Sequence, residues 1–580
     1  MKSLKRVIGV LIAGTLVFSL TACSDQSEIM SVMEEFEDLS DEEKSALIDA
    51  YENGDTDPSE VKDQDTSDTS DDEDESISDP ETSRIPKINV RSVVDYGYSD
   101  DHEKMIFRSS CEIPVLAPES GDLFPELKKT LDTLADEYIE SVKEHNKELV
   151  EAAKEHYNDS PDFFDYGSYN NDSVVLIRRI DEKVFSYAQG WDSYTGGAHG
   201  LYSETGHTFD VSTGKELMLS DIIPDDSGLK DALSEKLLEK YDEETFFDLG
   251  ESLSHYVSDA NEYDSGDEEN YEDYICPYNW TLIPDGIQFY FGPYELAAYA
   301  YGSQQVVIGY DEYPKVFNPD YLPGDEEKSF IFDFTGMTDI FDIDGDGEND
   351  QLRADFEYSE DYINAVSVYV NGDCDTIGDD LWIEPGLYKS HYIRLKDGRQ
   401  YLYTEGFVYD DHREFFVFDL NSGVPKASDR AYLDYIYFDD DNTEYFERNT
   451  ITDPENMELD EIFYILATFY GVRTYHPGED GMPVSDDRFM IKNLDFDDNL
   501  TSKEDITCDI VDRDGNVISE KETIKAGEEF VLYATDGETY VDAVISDDTI
   551  VRLNITSTEY PCSVDGVPAD ELFEVLFYVG

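Results

Sequence analysis

Basic residues are scarce in this chain: 41 Lys and Arg stand against 137 Asp and Glu, for a formal net charge of −96. Such an imbalance repels nucleic acid and anionic membrane surfaces and attracts cations and basic partners. No nucleic-acid partner is expected. Cysteines number six and are scattered without a CxxC pair, which leaves zinc-ribbon and thioredoxin-type chemistry unsupported. After Leu20 no apolar run approaches the roughly 20 residues of a membrane-spanning helix. Absent too are an HExxH pair, a nucleophile elbow, a P-loop and a dinucleotide glycine pattern. Carboxylates are so numerous that chance supplies every spacing, so carboxylate pairs carry no catalytic signal.

What is present begins with an export signal. Lys2, Lys5 and Arg6 precede an uncharged run from Val7 to Leu20, and small residues lead to Cys23 in Leu20-Thr21-Ala22-Cys23. This run resembles the lipobox of bacterial lipoproteins. The resemblance implies that the Cys23 thiol receives a diacylglyceryl group and becomes the first mature residue. It would then hold the chain in a lipid bilayer, on the outer face of the cell membrane. Residues 1–23 are thus read as signal peptide and lipobox, and 24–84 as an acidic stalk. A capping box at Ser40-Asp41-Glu42-Glu43 precedes Ala46, Leu47 and Ile48 and predicts a short helix there. Asn53 to Ser83 is nearly all Asp, Glu, Ser and Thr, without one aromatic, and should be disordered. Fully extended, it would reach roughly 100 Å at about 3.3 Å per residue. Cys508 and Cys562 share one C-terminal module, so a disulfide between them is plausible in an exported chain. The pairing among Cys111, Cys276, Cys374, Cys508 and Cys562 stays open, and their odd count leaves at least one thiol unpaired or paired with another chain.

Order is predicted from Ile85. Val90 to Tyr98 and Met105 to Leu116 read as strands, and Pro125 opens a helix with Leu127, Leu131, Leu134, Tyr138 and Val142 on one face. Val174 to Ile180 and Val184 to Tyr187 are strands. They lead into a glycine run at Gly196-Gly197-Ala198-His199-Gly200, a half-buried strand at Thr208-Phe209-Asp210-Val211 and a turn at Ser212 to Lys215. Leu229, Leu233, Leu237 and Tyr241 mark a second helix, and Asp242 to Tyr274 an acidic loop. Ile287 to Phe291 and Val306 to Ile308 are strands. This order argues for α+β.

Tyr194-Thr195-Gly196-Gly197-Ala198-His199-Gly200, with Phe209-Asp210 and Thr213-Gly214-Lys215-Glu216-Leu217, resembles the DUF3298 family. So do Phe289-Tyr290-Phe291 and Pro293-Tyr294-Glu295-Leu296-Ala297. The stretch before them resembles DUF4163, its usual N-terminal companion, giving a DUF4163-like part at 85–192 and a DUF3298-like part at 193–312. The pairing occurs in the extracellular part of a lysozyme-sensing anti-sigma factor and beside the catalytic domain of a peptidoglycan deacetylase. Here no Thr-Phe-Asp-Asp-Gly run of a deacetylase is found. His199 and His207 are candidates for acid–base work, although a histidine in a glycine-rich turn more often bonds backbone. Trp191, Trp280 and Trp382 could stack on sugar rings, with core packing the commoner role.

From 322 to 485 the sequence turns to short strands and Asp/Gly turns, with one helix predicted around Leu459 to Tyr470. A small β module with the rhythm of SH3-like barrels follows at 490–580, including a hairpin at Asp512 to Asn516. The clearest chemical motif is Phe341-Asp342-Ile343-Asp344-Gly345-Asp346-Gly347-Glu348-Asn349-Asp350. Alternate oxygens of such a loop converge on one point, as a hard cation requires. Asp342, Asp344, Asp346 and Asp350 would ligate Ca2+, with the carbonyl of Glu348. Arg353 stands where an EF-hand would carry its Glu, and the loop resembles instead those of FG-GAP-type repeats. The fold expected is an α+β unit followed by a mainly β C-terminal region. The function expected is non-catalytic binding or sensing of an envelope ligand, either a basic lysozyme-like protein or peptidoglycan. A wall-modifying hydrolase and a structural adhesin or scaffold are the alternatives.

Overall fold

The computed structural model describes residues 85–165, 167–258, 276–324, 329–358, 362–383, 388–408, 412–435, 446–492, 500–545, 549–574 and 576. The chain divides between Thr82 and Ser83. Cys23, the stalk and its expected short helix lie outside the described residues.

Strands β1 (Ile88–Tyr98) and β2 (Met105–Leu116) form an antiparallel hairpin. Helix α1 (Pro125–Asp159) then crosses the sheet and returns the chain as β3 (Tyr169–Ile180), parallel to β2. Pro125 suits the first helical turn, whose N–H needs no partner. The buried Leu127, Leu131, Ala135, Ile139 and Val142 make the apolar stripe that docks it. Strands β4 (Val184–Tyr194) and β5 (Leu201–Asp210) continue antiparallel, and the glycine run closes their hairpin. Gly196 has φ +86°, a conformation closed to most side chains.

Residues 219–309 supply a helical turn (Leu219–Ile222), helix α2 (Leu229–Lys240), a short helix (Leu249–Ser254) and a two-strand pair, β6 (Tyr256–Val257) with β7 (Cys276–Pro277). The predicted loop from Asp242 is therefore partly helical; its residues 259–275 lie outside the described set. Strands β8 (Asn279–Ile283), β9 (Gly286–Phe291) and β10 (Gln304–Gly309) form an antiparallel sheet. It is sealed by Leu229, Leu233 and Leu237 of α2. β8 passes so close to β5 that a Cβ added at Gly206 would lie 2.0 Å from the carbonyl oxygen of Trp280.

Among the described residues a nine-stranded antiparallel sheet follows. It comprises β11 (Phe330–Phe334), β12 (Met337–Phe341), β13 (Asp350–Tyr358), β14 (Ile363–Val370), β15 (Asp373–Ile383), β16 (Ser390–Arg394), β17 (Gln400–Val408), β18 (His412–Asp419) and β19 (Lys426–Tyr435). One core joins it to the first sheet: Val175, Ile177, Phe185, Tyr187 and Phe209 pack with Ile331, Ile393, Tyr401, Tyr403, Phe415 and Val417. Strand β20 (Phe446–Asn449) then leaves this region to pair antiparallel with β1, so the first sheet runs β20-β1-β2-β3-β4-β5.

Two expectations for the C-terminal part are corrected. Leu459 to Tyr470 is not helical but belongs to the hairpin β21 (Met457–Ile465) and β22 (Ala467–Pro477), turning at Leu466 with φ +67°. Met457, Leu459, Phe463 and Ile465 are buried while Tyr464 is exposed, so alternation wins over the helical spacing that these residues also satisfy. The aromatic residues Phe463, Tyr464, Phe469 and Tyr470 favour the same outcome. Cys508 and Cys562 are both buried and are not joined in a disulfide; Cys562 Sγ accepts from the Leu466 N–H at 3.3 Å. Strands 506–511, 517–524, 529–535, 540–544 and 550–557 complete the last sheet, and their core includes Phe463 and Phe469 of the hairpin. The hairpin therefore serves two cores: Phe463, Ile465 and Phe469 pack in the last one, while Met457, Leu459 and Tyr475 pack in the core of the first and third sheets. The molecule is mostly β, with its longer helices in the first half.

Gly206→Ala should lower stability by about 1–3 kcal/mol in urea titration of the full chain, because the added methyl forces β5 and β8 apart. An unchanged midpoint would contradict their close approach.

Candidate functional sites

The loop joining β12 to β13 brings three of the predicted donors together. Asp350 is buried at its base, where Oδ2 accepts from the backbone N–H of Ile343 (2.6 Å) and Asp344 (2.9 Å), and Oδ1 from the Asn371 amide. Asp342 folds back to accept from Gly345 (2.7 Å) and Gly347 (3.0 Å), whose φ values of +80° and +94° make the tight turn. Carboxylate oxygens of Asp342, Asp344 and Asp350 lie within 4.8 Å of one another. Asp346 and Glu348 are exposed and stand outside this trio. The loop is braced from outside: the Gln400 amide donates to the Ile343 carbonyl at 2.5 Å, and Gly423 lies against Asp344. Three convergent carboxylates are a donor set that fits a hard divalent cation.

At the glycine turn the two histidines are held separately. His199 Nδ1 bonds the Gly200 carbonyl at 2.9 Å, and its ring stacks on Tyr299 with centroids 3.7 Å apart. His207 Nδ1 pairs with Glu216 at 3.1 Å and stacks on Tyr187 at 5.0 Å. Neither meets the other or a nucleophile among the described residues. Around the turn stand Tyr202, Tyr294 and Tyr301, exposed by 37%, 50% and 55%. Tyr294 holds φ +73°, a left-handed conformation that is uncommon for a bulky side chain. Trp191 turns its indole inward, with Nε1 donating to Asn171 at 2.8 Å, and Trp280 is buried in the core.

The family described as "Protein of unknown function (DUF3298)" matches residues 220–311. Residues 220–311 are a DUF3298 domain. Two solved structures of that family are similar to this chain. One, from Bacteroides fragilis, is 19% identical with TM-score 0.30, covering 40% of this chain and 94% of its own. The other, from Pseudomonas aeruginosa, is 14% identical with TM-score 0.27, covering 40% of this chain and 96% of its own. No curated protein matches the chain. The DUF3298 domain holds α2, β8–β10 and the run Phe289 to Ala297, while the glycine turn lies N-terminal to it, on the β4–β5 hairpin.

Where β9 and β10 of the DUF3298 domain meet β3–β5 and β11–β12, they enclose a cleft of about 300 Å³. Its floor is a hydrogen-bonded relay. Tyr290 donates to Gln288 (3.0 Å), Gln288 to Gln305 (2.9 Å) and Gln305 to Glu204, which accepts in turn from the buried Arg178 (2.9 Å). Arg178 also donates to the Asp333 carbonyl.

Sequence reasoning missed a layer of buried charge between the first and third sheets. His391 is fully buried, with Nδ1 2.6 Å from Asp333 and Nε2 2.6 Å from Glu405. Glu405 meets Arg413 at 3.2 Å and Arg448 of β20 at 3.4 Å, and Arg448 reaches on to Glu112 of β2. Burial alone would lower the pKa of His391, but the Asp333 and Glu405 carboxylates outweigh it and raise it above the ordinary value. Burial likewise opposes ionisation of Glu405, yet Arg413, Lys389, Arg448 and His391 hold its carboxyl well below the usual range. The available signal was a charged residue at an inward position of an otherwise apolar strand, as in Phe330-Ile331-Phe332-Asp333-Phe334. The layer is closed to solvent.

A raised histidine pKa contributes stability that is complete below the unfolded value, about 6.5, and is lost as pH rises through the folded one. Glu405 contributes the opposite limb, lost as pH falls through its depressed value. Stability of the full chain should therefore fall with rising pH above about 6.5, a limb that His391→Gln should flatten. That variant should also lose on the order of 3–5 kcal/mol, because it leaves buried carboxylates short of a partner. Denaturation midpoints measured across pH check both, and parallel profiles would contradict the assignment.

Proposed function

We propose that this chain is a membrane-anchored, extracytoplasmic lipoprotein that binds or senses an envelope ligand, with acylated Cys23 as the tether. The observation that carries the reading is the ring of exposed tyrosines around the glycine turn, Tyr202, Tyr294 and Tyr301, on a chain of net charge −96. Exposed aromatic residues are the usual anchors of protein interfaces. The left-handed Tyr294 marks local strain of the kind that gathers at binding sites. A basic, lysozyme-like protein suits this surface, since opposite charge accelerates encounter and makes binding salt-sensitive. Wall glycan is the second reading, favoured by the polar cleft beside Tyr202.

Binding rather than turnover is supported by the histidines, each engaged by a carbonyl or carboxylate and an aromatic ring. In the β12–β13 loop Asp342, Asp344 and Asp350 would hold calcium. The ion would supply charge balance and stiffness there rather than chemistry.

The full chain should bind a basic lysozyme at low salt and release it as salt rises. Tyr294→Ala and Tyr301→Ala should each weaken binding by about tenfold or more. Absence of binding to both lysozyme and peptidoglycan at low salt would remove the support for this reading. Titration calorimetry with calcium should give heat for the wild type that Asp344→Ala abolishes. Equal heats would sink the calcium assignment.

A further inference from the structure

We propose that the cleft between the DUF3298 sheet, the β4–β5 hairpin and the β11–β12 turn is a saccharide-binding site. The inference deepens the glycan reading above and rests on it. The floor charges balance each other: both oxygens of Glu204 are occupied, by Arg178 and Gln305, and the amide oxygens of Gln288 and Gln305 each accept a hydrogen bond, leaving only the Arg178 Nε without a partner among the described residues. No strong free charge is left at the bottom to select an ion.

The walls differ from the floor. Ser303, Thr335 and Thr338 line the cleft, as does Tyr202, whereas Ser203 turns its hydroxyl to the opposite face of β5 with Trp191. None of these hydroxyls has a hydrogen-bond partner among the described residues, although Thr338 is only 8% exposed. Hydroxyls that act both as donor and as acceptor, gathered from β5, the residue before β10 and the β11–β12 turn and strand, are complementary to a ligand with the same dual character. Asp192 adds a carboxylate whose Oδ1 accepts from Asn170 at 2.8 Å. It can take hydrogen bonds from ligand hydroxyls as well. Strand alternation puts Tyr202 opposite Asp192, so one aromatic ring stands beside the polar wall, suited to the C–H face of a pyranose. A volume of about 300 Å³ lies at the lower end for small-molecule sites, and the junction of three sheets is a usual place for one.

The test is calorimetry of the full chain with the trimer of N-acetylglucosamine and, separately, with maltotriose, alongside lysozyme binding on the same preparation. Heat is expected with at least one trisaccharide, and the choice between them distinguishes wall-type from storage-type glycan. Thr335→Val and Ser303→Ala should each weaken that binding roughly threefold to tenfold, the worth of one neutral hydrogen bond, with the thermal midpoint unchanged. No heat with either sugar, or affinities unaltered in both variants, would overturn the inference. If lysozyme still bound, the proposed function would stand without it. If lysozyme and both sugars failed alike, the two would fall together.

Discussion

The arrangement of the first and third sheets depends on one strand edge. β2 and β3 run parallel only as far as Cys111 opposite Ser173. Beyond that point β3 keeps β4 on one edge, but the edge that β2 leaves faces the third sheet without a paired strand, and side chains take over. Glu112 accepts from the Val175 N–H at 2.9 Å, Asp333 accepts from the Ile177 N–H at 3.0 Å, and Lys389 donates to the Val175 carbonyl at 3.2 Å. An unpaired buried backbone group costs about 1–3 kcal/mol, which explains why charged residues occupy so apolar a place. Once buried, those charges require partners, and His391, Arg413 and Arg448 supply them. The charged layer follows from the missing strand.

Much of the chain was legible before its fold was known. α1 declared itself through Pro125 and leucines at helical spacing, and Met105 to Leu116 is a strand with the bounds expected. The Asp/Gly loop was legible because its chemistry is local: Gly345 and Gly347 permit the turn that brings Asp342 and Asp344 near Asp350. What failed was non-local. Leu459 to Tyr470 satisfies both helical and strand periods, and only the core containing Phe463 and Phe469 decides between them. The charged layer draws on β2, β11, β16, β17, β18 and β20, so no window of sequence contains it.

The glycine turn shows the limit of motif reading in another way. Two histidines near glycines suggest chemistry, yet each bonds a neighbouring group, and the exposed His199 stands among tyrosines rather than beside a second histidine. The same hairpin contributes Tyr202 and Glu204 to the cleft, so the turn and the DUF3298 domain border one surface although only the domain is matched by family.

Strand β20 has a consequence for how the protein is made. It lies far along the chain, yet it covers the outer edge of β1 and brings Arg448 to Glu112. A nascent or exported chain emerging from its N-terminus must therefore leave that edge uncovered, and Glu112 without its arginine, until residues 446–449 arrive. Such distant pairing slows folding and exposes strand edges while it lasts. The strong negative charge keeps neighbouring chains apart during that interval and so protects the unfinished sheet from pairing with another copy of itself.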